Sequence, residues 1–330
     1  MNVLQFIASN GWGGAEKSFV ELCNELSKTM QIEVLLFKEN QIEERLSPHI
    51  KIHTLYSSSS RHNPLLYLEL RKLIQKIKPD IIHTHSAKAS EIIYKLGKFT
   101  SLRQVATKRN PRKGKIFNKI DHVTAISKDV ANSIHKDDVE VIYNGLLREN
   151  IIPTKNINSV FTLIAIGRLD KIKGFDILIK EVAKLDFPFY LNIVGEGDER
   201  KHLEMLIEEL DISDKVTFLG HREDIPSLID AADLVVISSH SEGFGRVLVE
   251  TLFYGKCIIS TRVGLSIEIL PDELLIDDFK IADKINDTYR NQEECNNLCL
   301  QLKNTHTKMF LLENVINGYV DYYQRLLNEV

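Results

Sequence analysis

Two Rossmann-like α/β domains, each a doubly wound parallel sheet, are predicted by three features of the 330-residue sequence. Short apolar runs alternate with helix-period segments from end to end, the scheme restarts near residue 160, and a polar stretch separates the two series. A chain of this length also exceeds what one hydrophobic core usually holds.

In the first half the strand-like runs are residues 3–8, 32–37, 50–55, 81–84, 104–107, 122–125 and 139–142. The second half supplies 161–166, 190–194, 215–219, 234–237, 257–260 and 274–276. Asn144-Gly145 and the polar residues 150–158, with Pro153, carry no apolar period and read as a linker. The division expected is therefore 1–153 and 154–310. Residues 311–330 space Leu311, Val315, Ile316, Tyr319, Val320, Tyr323, Leu326 and Leu327 as one helix face, which must pack on another element, expected to be the amino-terminal domain.

Composition narrows the class. A hydrophobic fraction of 43% and a charged fraction of 27% describe an ordinary folded chain. Residues 3–8 read as a first strand rather than a secretory leader, because no basic flank precedes them and Ser9-Asn10 end the run. No stretch approaches the roughly 18 apolar residues that span a bilayer. The four cysteines, Cys23, Cys257, Cys295 and Cys299, form neither a disulfide framework nor a zinc pattern, so a reducing, cytoplasmic setting is expected.

Charge is uneven. Residues 1–153 hold 23 Lys+Arg against 16 Asp+Glu, and the remainder holds 19 against 30, within a net charge of -4. Ten basic side chains and the single acid Glu91 fall in residues 88–119. Lys108, Arg109, Arg112 and Lys113 form the densest part and are expected to meet an anionic acceptor or membrane surface. Nucleic acid is not expected, since neither a recognition motif nor a series of stacking aromatics accompanies the charge.

Open doubly wound sheets bind ligands beyond the carboxyl ends of their strands, so two such domains facing each other would place a site in the cleft between them. Asn10-Gly11-Trp12-Gly13-Gly14-Ala15-Glu16 follows the first strand and opens a helix, where free amides suit a diphosphate, although a tight turn is an alternative reason for the glycines. It is not G-x-G-x-x-G, and no acid sits where a ribose-binding partner would be expected at the second strand's end, which disfavours a nicotinamide cofactor. His83-Thr84-His85-Ser86 ends the fourth strand, but two histidines at i, i+2 make no metal site alone. Gly167-Arg168, with Lys173-Gly174, brings two cations to one strand end, an arrangement suited to a departing diphosphate. In Glu242-Gly243-Phe244-Gly245-Arg246-Val247-Leu248-Val249-Glu250, two carboxylates eight residues apart would lie roughly 12 Å apart if helical, the separation of a sugar from a ribose across a pyrophosphate.

Taken together, these motifs resemble the retaining GT-B glycosyltransferases of family GT4 (glycosyl transferases group 1), most specifically over residues 164–264. Val141-Ile142-Tyr143-Asn144-Gly145 and Val194-Gly195-Glu196-Gly197 extend the likeness. The resemblance implies transfer of a sugar from a nucleotide-diphosphosugar to an acceptor, without a cofactor or metal and without a protein nucleophile. It implies that His85 lies near the transferred sugar, Arg168 and Lys173 neutralise the diphosphate, Glu242 meets sugar hydroxyls and Glu250 the ribose. Gly13, Gly14, Gly167, Gly195, Gly243, Phe244, Gly245, Arg246 and Gly264 would line the donor. Leu265, where many members have glycine, would narrow the sugar pocket or shift the backbone.

A UDP-sugar donor is favoured on base rate. A bacterial surface glycan such as lipopolysaccharide, capsule or glycolipid is the expected product, made at the inner face of the membrane. A sugar-nucleotide epimerase or hydrolase, and a non-catalytic partner in glycan assembly, are the competing readings.

Overall fold

The computed structural model describes residues 1–100, 102–112, 114–151 and 160–328. The chain divides into two compact units, Met1–Leu147 with Met309–Val330, and Arg148–Lys308. The linker and boundary expected around residue 153 lie largely within 152–159, outside the described residues.

In the first unit the strands are β1 (Asn2–Ile7), β2 (Gln31–Phe37), β3 (Lys51–Leu55), β4 (Ile81–His85), β5 (Gln104–Lys108), β6 (His122–Ala125) and β7 (Val139–Val141). They pair in parallel in the order β3-β2-β1-β4-β5-β6-β7. The helices between them include α1 (Gly14–Leu26), α2 (Pro64–Ile77), α3 (Ala87–Gly97) and the short α4 (Lys128–Asn132).

Strand alternation sends Val3 and Ile7 to one face of this sheet and Leu4 and Phe6 to the other, and helices cover both. Leu66, Leu70 and Ile74 of α2 and Ile92, Ile93 and Leu96 of α3 pack on the second face. Those spacings are the helical periods legible in the sequence.

The second unit repeats the architecture with β8 (Phe161–Ile166), β9 (Phe189–Val194), β10 (Val216–Gly220), β11 (Leu234–Ile237), β12 (Ile258–Thr261) and β13 (Leu275–Ile276), all parallel, in the order β10-β9-β8-β11-β12-β13. Its helices are α5 (Phe175–Val182), α6 (Arg200–Glu209), α7 (Ile225–Ala231), α8 (Arg246–Tyr254), α9 (Ser266–Ile269), α10 (Ile281–Arg290) and α11 (Gln292–His306).

The chain then returns to the first unit. Residue Leu311 bridges to Leu146, and α12 (Leu312–Asn328) lays Val315, Ile316, Tyr319, Tyr323 and Leu326 onto the first face beside Phe19, Cys23 and Leu26 of α1. At about 1.5–3 kcal/mol for each fully buried large side chain, this face contributes a substantial share of the gross stabilisation of the unit.

In both sheets the order reverses at one place, between β1 and β4 in the first unit and between β8 and β11 in the second. These switch points open a crevice at the carboxyl ends of the strands. The motifs singled out in the sequence lie there. No described helix is long and apolar enough to cross a membrane.

Candidate functional site

At the β8/β11 switch point of the second unit, the backbone turns sharply after Ile166. Asp170 caps the turn Lys171–Lys173, its carboxylate accepting hydrogen bonds from the amides of Ile172 and Lys173 at 3.1 and 3.3 Å. This turn sends the Lys173 side chain back over the strand end. A Cβ on Gly167 would stand 3.0 Å from Lys173 Cε, so the absence of a side chain at 167 makes room for the lysine stem.

The Lys173 ammonium donates to Glu242 Oε1 at 2.5 Å, and the Ser239 hydroxyl donates to the same oxygen at 2.7 Å. Both partners of the ion pair are mostly buried, with side-chain exposures of 23% and 16%. Gly264, with φ +47, brings its backbone against Glu242. Arg168 is different: its guanidinium pairs with Asp170 at 2.8 Å and is 76% exposed.

The helix ruler expected between Glu242 and Glu250 does not apply. The α8 helix begins at Arg246, and Glu242 stands in the loop before it, held by Ser239 and Lys173 rather than by helical spacing. Glu250 lies on α8 and pairs one turn back with Arg246 at 3.0 Å. Phe244 is 4% exposed, so its ring belongs to the core, and the loop Gly243–Gly245 can offer a ligand its backbone but not that ring. Leu265 is fully buried, so its side chain packs in the core, and of the two effects expected from it a shift of the backbone is the one consistent with that position. Gly195 sits beneath this site with φ +137, in backbone contact with Gly167.

At the β1/β4 switch point of the first unit, α1 begins at Gly14 with Gly13 as its cap. Gly13 is extended, with φ -169, a conformation open to any residue, and a Cβ on Gly14 would meet nothing within 4 Å. A strained turn is therefore not the reason for this glycine pair. Gly14 leaves open space at the amino end of a 13-residue helix, whereas a Cβ on Gly13 would stand 3.3 Å from a carboxylate oxygen of Glu16.

His85 ends β4 and is fully buried. Its Nε2 meets Gln5 Oε1 at 2.8 Å and its Nδ1 meets Arg109 Nη2 at 2.8 Å. Both ring nitrogens are thus satisfied within the unit. Burial first, and then the neighbouring His83 and Arg109, hold the imidazole neutral, well below the usual histidine range. His83, equally buried, spans Tyr323 at 2.5 Å and Thr107 at 2.6 Å.

The basic cluster resolves into unlike members. Lys108 is 3% exposed and donates to the carbonyl and hydroxyl of Ser133 at 3.1 and 2.7 Å, so it faces neither an acceptor nor a membrane. Burial lowers its pKa, and those hydrogen bonds are what allow an ammonium there. Arg109 turns inward to His85 and Asn144. Arg112 is exposed, and Lys113 lies outside the described residues.

Sequence reasoning missed Gln5, Thr107, Tyr323 and Ser239 as site residues. Gln5 had a signal, being the polar residue inside the otherwise apolar run 3–7. Tyr323 had none, because a tyrosine at helical spacing reads as core.

Comparison with known proteins places this geometry in a family. Residues 148–305 match the model for glycosyl transferases group 1, and residues 12–147 match that for glycosyltransferase family 4. The lipopolysaccharide core biosynthesis glycosyltransferase LpsE of Rhizobium meliloti is 28% identical over 263 residues, covering 76% of each chain. An N-acetylgalactosaminyltransferase of Campylobacter jejuni acting on a diphospho-undecaprenol-linked sugar is 25% identical, covering 87% of this chain and 92% of that one. Among solved structures, HepE of Anabaena in complex with UDP superposes with a TM-score of 0.86 at 21% identity, over 98% of this chain and all of HepE. Sucrose-phosphate synthase from Thermosynechococcus elongatus gives a TM-score of 0.87 at 19% identity, over the whole of both chains. With both halves matched in sequence and both parallel sheets matched in structure, the chain belongs to the group 1, family 4 glycosyltransferases of GT-B fold.

Proposed function

We propose that the protein transfers a sugar, with retention of anomeric configuration, from a UDP-sugar to a glycan or glycolipid acceptor during assembly of a bacterial surface glycan. The observation that carries this reading is the Lys173–Glu242 pair at the β8/β11 switch point, with Gly167 leaving the lysine its path. Lys173 and Arg168 neutralise the diphosphate as charge grows on the leaving oxygen, which is the role a divalent ion takes in metal-dependent enzymes. Glu242, already aligned by Ser239, accepts hydrogen bonds from sugar hydroxyls, while Glu250 accepts from the ribose. The backbone amides of Gly243 and Gly245, before α8, face the phosphates.

Support for the donor class comes from HepE, solved with UDP and with UDP-glucose. Support for the pathway comes from LpsE and LpsD, which are lipopolysaccharide core enzymes, and from the Campylobacter relatives that extend sugars on diphospho-undecaprenol. A lipid-linked acceptor would put the protein against the inner face of the cytoplasmic membrane. Exposed Arg112 and Phe99, and the outward Leu65 and Leu68 of α2, are among the described residues suited to that surface.

A thermal-shift panel of UDP, GDP, ADP, their sugar conjugates and NAD tests the donor assignment, because a ligand that binds only the folded state raises Tm. UDP and UDP-sugars are expected to stabilise, and ligand at about 100 times its Kd adds about 2.7 kcal/mol. Stabilisation by NAD alone, or by no nucleotide, would overturn the donor site.

A further inference from the structure

We infer that Arg109 is an anion-binding residue of the first unit, specific for a phosphate-type group, and that a hydrogen-bond chain running through Tyr323 of α12 holds its guanidinium in place. The direction of the chain follows from donor chemistry. A guanidinium only donates, so the 2.8 Å contact from Arg109 Nη2 makes His85 Nδ1 an acceptor and puts the ring proton on Nε2. That proton goes to Gln5 Oε1 at 2.8 Å, which leaves the Gln5 amide to donate to the Tyr323 hydroxyl at 3.2 Å. Tyr323 then donates to His83 Nδ1 at 2.5 Å, His83 Nε2 donates to Thr107 Oγ1 at 2.6 Å, and Thr107 donates to Thr124 at 2.7 Å. The links as far as Tyr323 are fixed by donor chemistry, and the later ones follow from giving the Tyr323 hydroxyl proton an acceptor, His83 Nδ1 being the one at hand. Both histidines are neutral and carry their proton on Nε2, and the chain ties β1, β4, β5 and β6 to the carboxy-terminal helix.

A chain this complete leaves Arg109 itself incomplete. Two of its five N–H groups are used, one by His85 and one by Asn144 Oδ1 at 3.3 Å. Its Nε is buried with no hydrogen-bond partner, and among the described residues it joins no ion pair. Glu16 of α1 is the carboxylate whose charge it feels, without contact. A half-buried cation lacking a counter-ion is costly unless an anion completes it. A second unfilled group lies at the same strand ends: Ser86, next to His85 and capping α3, has φ 84 and a buried hydroxyl with no partner. A neutral histidine beside the guanidinium also adds no competing charge. Phosphate, with several acceptor oxygens, satisfies a guanidinium better than a neutral ligand does.

The inference does not depend on which sugar is moved. It is tested on the full chain by NMR of 15N-labelled arginine and histidine side chains during titration with inorganic phosphate and with pyrophosphate. One arginine Nε–H resonance, lost in Arg109→Lys, is expected to shift saturably. Arg109→Gln is expected to weaken binding of the anion by about tenfold or more, the usual scale for a charged hydrogen bond. Tyr323→Phe is expected to change the His83 tautomer and weaken anion binding several-fold. If Arg109→Gln weakens UDP in parallel, the anion is the diphosphate of the donor; if UDP is unaffected, it is a phosphate on the acceptor. An Arg109 resonance that neither anion moves, with equal anion binding by the glutamine variant, would overturn the anion site. Unchanged tautomers and anion affinity in Tyr323→Phe would overturn the chain's role in holding it.

Discussion

Alanine at Lys173 is expected to lower kcat by roughly 10² to 10³, the scale for removing one preorganised charge-stabilising contact. The lysine is held in advance: its stem crosses Gly167, its amide is capped by Asp170, and its ammonium is 2.5 Å from Glu242. No reorganisation is needed as charge develops on the diphosphate, so the loss falls mainly on kcat and less on donor affinity. Arg168→Ala is expected to cost less, because a guanidinium that is 76% exposed is screened by water. Steady-state kinetics of the two variants check this ordering. Unchanged kcat in Lys173→Ala would remove the lysine from the chemistry, and a larger loss at Arg168 would transfer the principal role to it.

Gly195→Ala is expected to destabilise the second unit by about 4 kcal/mol, the sum of about 1–3 for a non-glycine residue at positive φ and about 1–3 for overpacking. Gly195 has φ +137, and a Cβ there would stand 1.9 Å from the carbonyl oxygen of Gly167. Neither neighbour has a side chain that can give way. Relief requires β8 and β9 to part at the strand end that carries Arg168 and Lys173. Urea unfolding of the variant should show a lower midpoint, and any folded fraction should bind UDP more weakly. A midpoint equal to that of the parent would mean that the strand ends relax freely, in conflict with a preorganised site.

Much of the fold was legible because its strands are buried on both faces and therefore appear as continuous apolar runs such as Val3–Leu4 and Leu234–Ile237. Glycines and charges just beyond those runs marked the switch points in the same way. Less legible were features that depend on direction in space. Lys108 and Arg112 look equivalent in a basic segment, but Lys108 ends a parallel strand and points to Ser133, whereas Arg112 is on the surface. Glu242 and Glu250 share a helical spacing, although the helix starts between them.

The polar seam beneath α12 was the hardest to see. Gln5, His83, His85, Thr107 and Thr124 come from four strands that are adjacent only in the folded sheet, and Tyr323 reaches them from the far end of the chain. Each residue alone reads as ordinary interior. Only the donor and acceptor order across them shows a device.

The measurement that bears most directly on the account is transfer itself, followed with a UDP-sugar carrying a labelled sugar and a bacterial membrane fraction as the source of acceptor. The account predicts label in a glycan or glycolipid product with the donor's anomeric configuration, formed by the parent protein and lost in Lys173→Ala. Hydrolysis of the donor to free sugar with no labelled product, or product of inverted configuration, would contradict it.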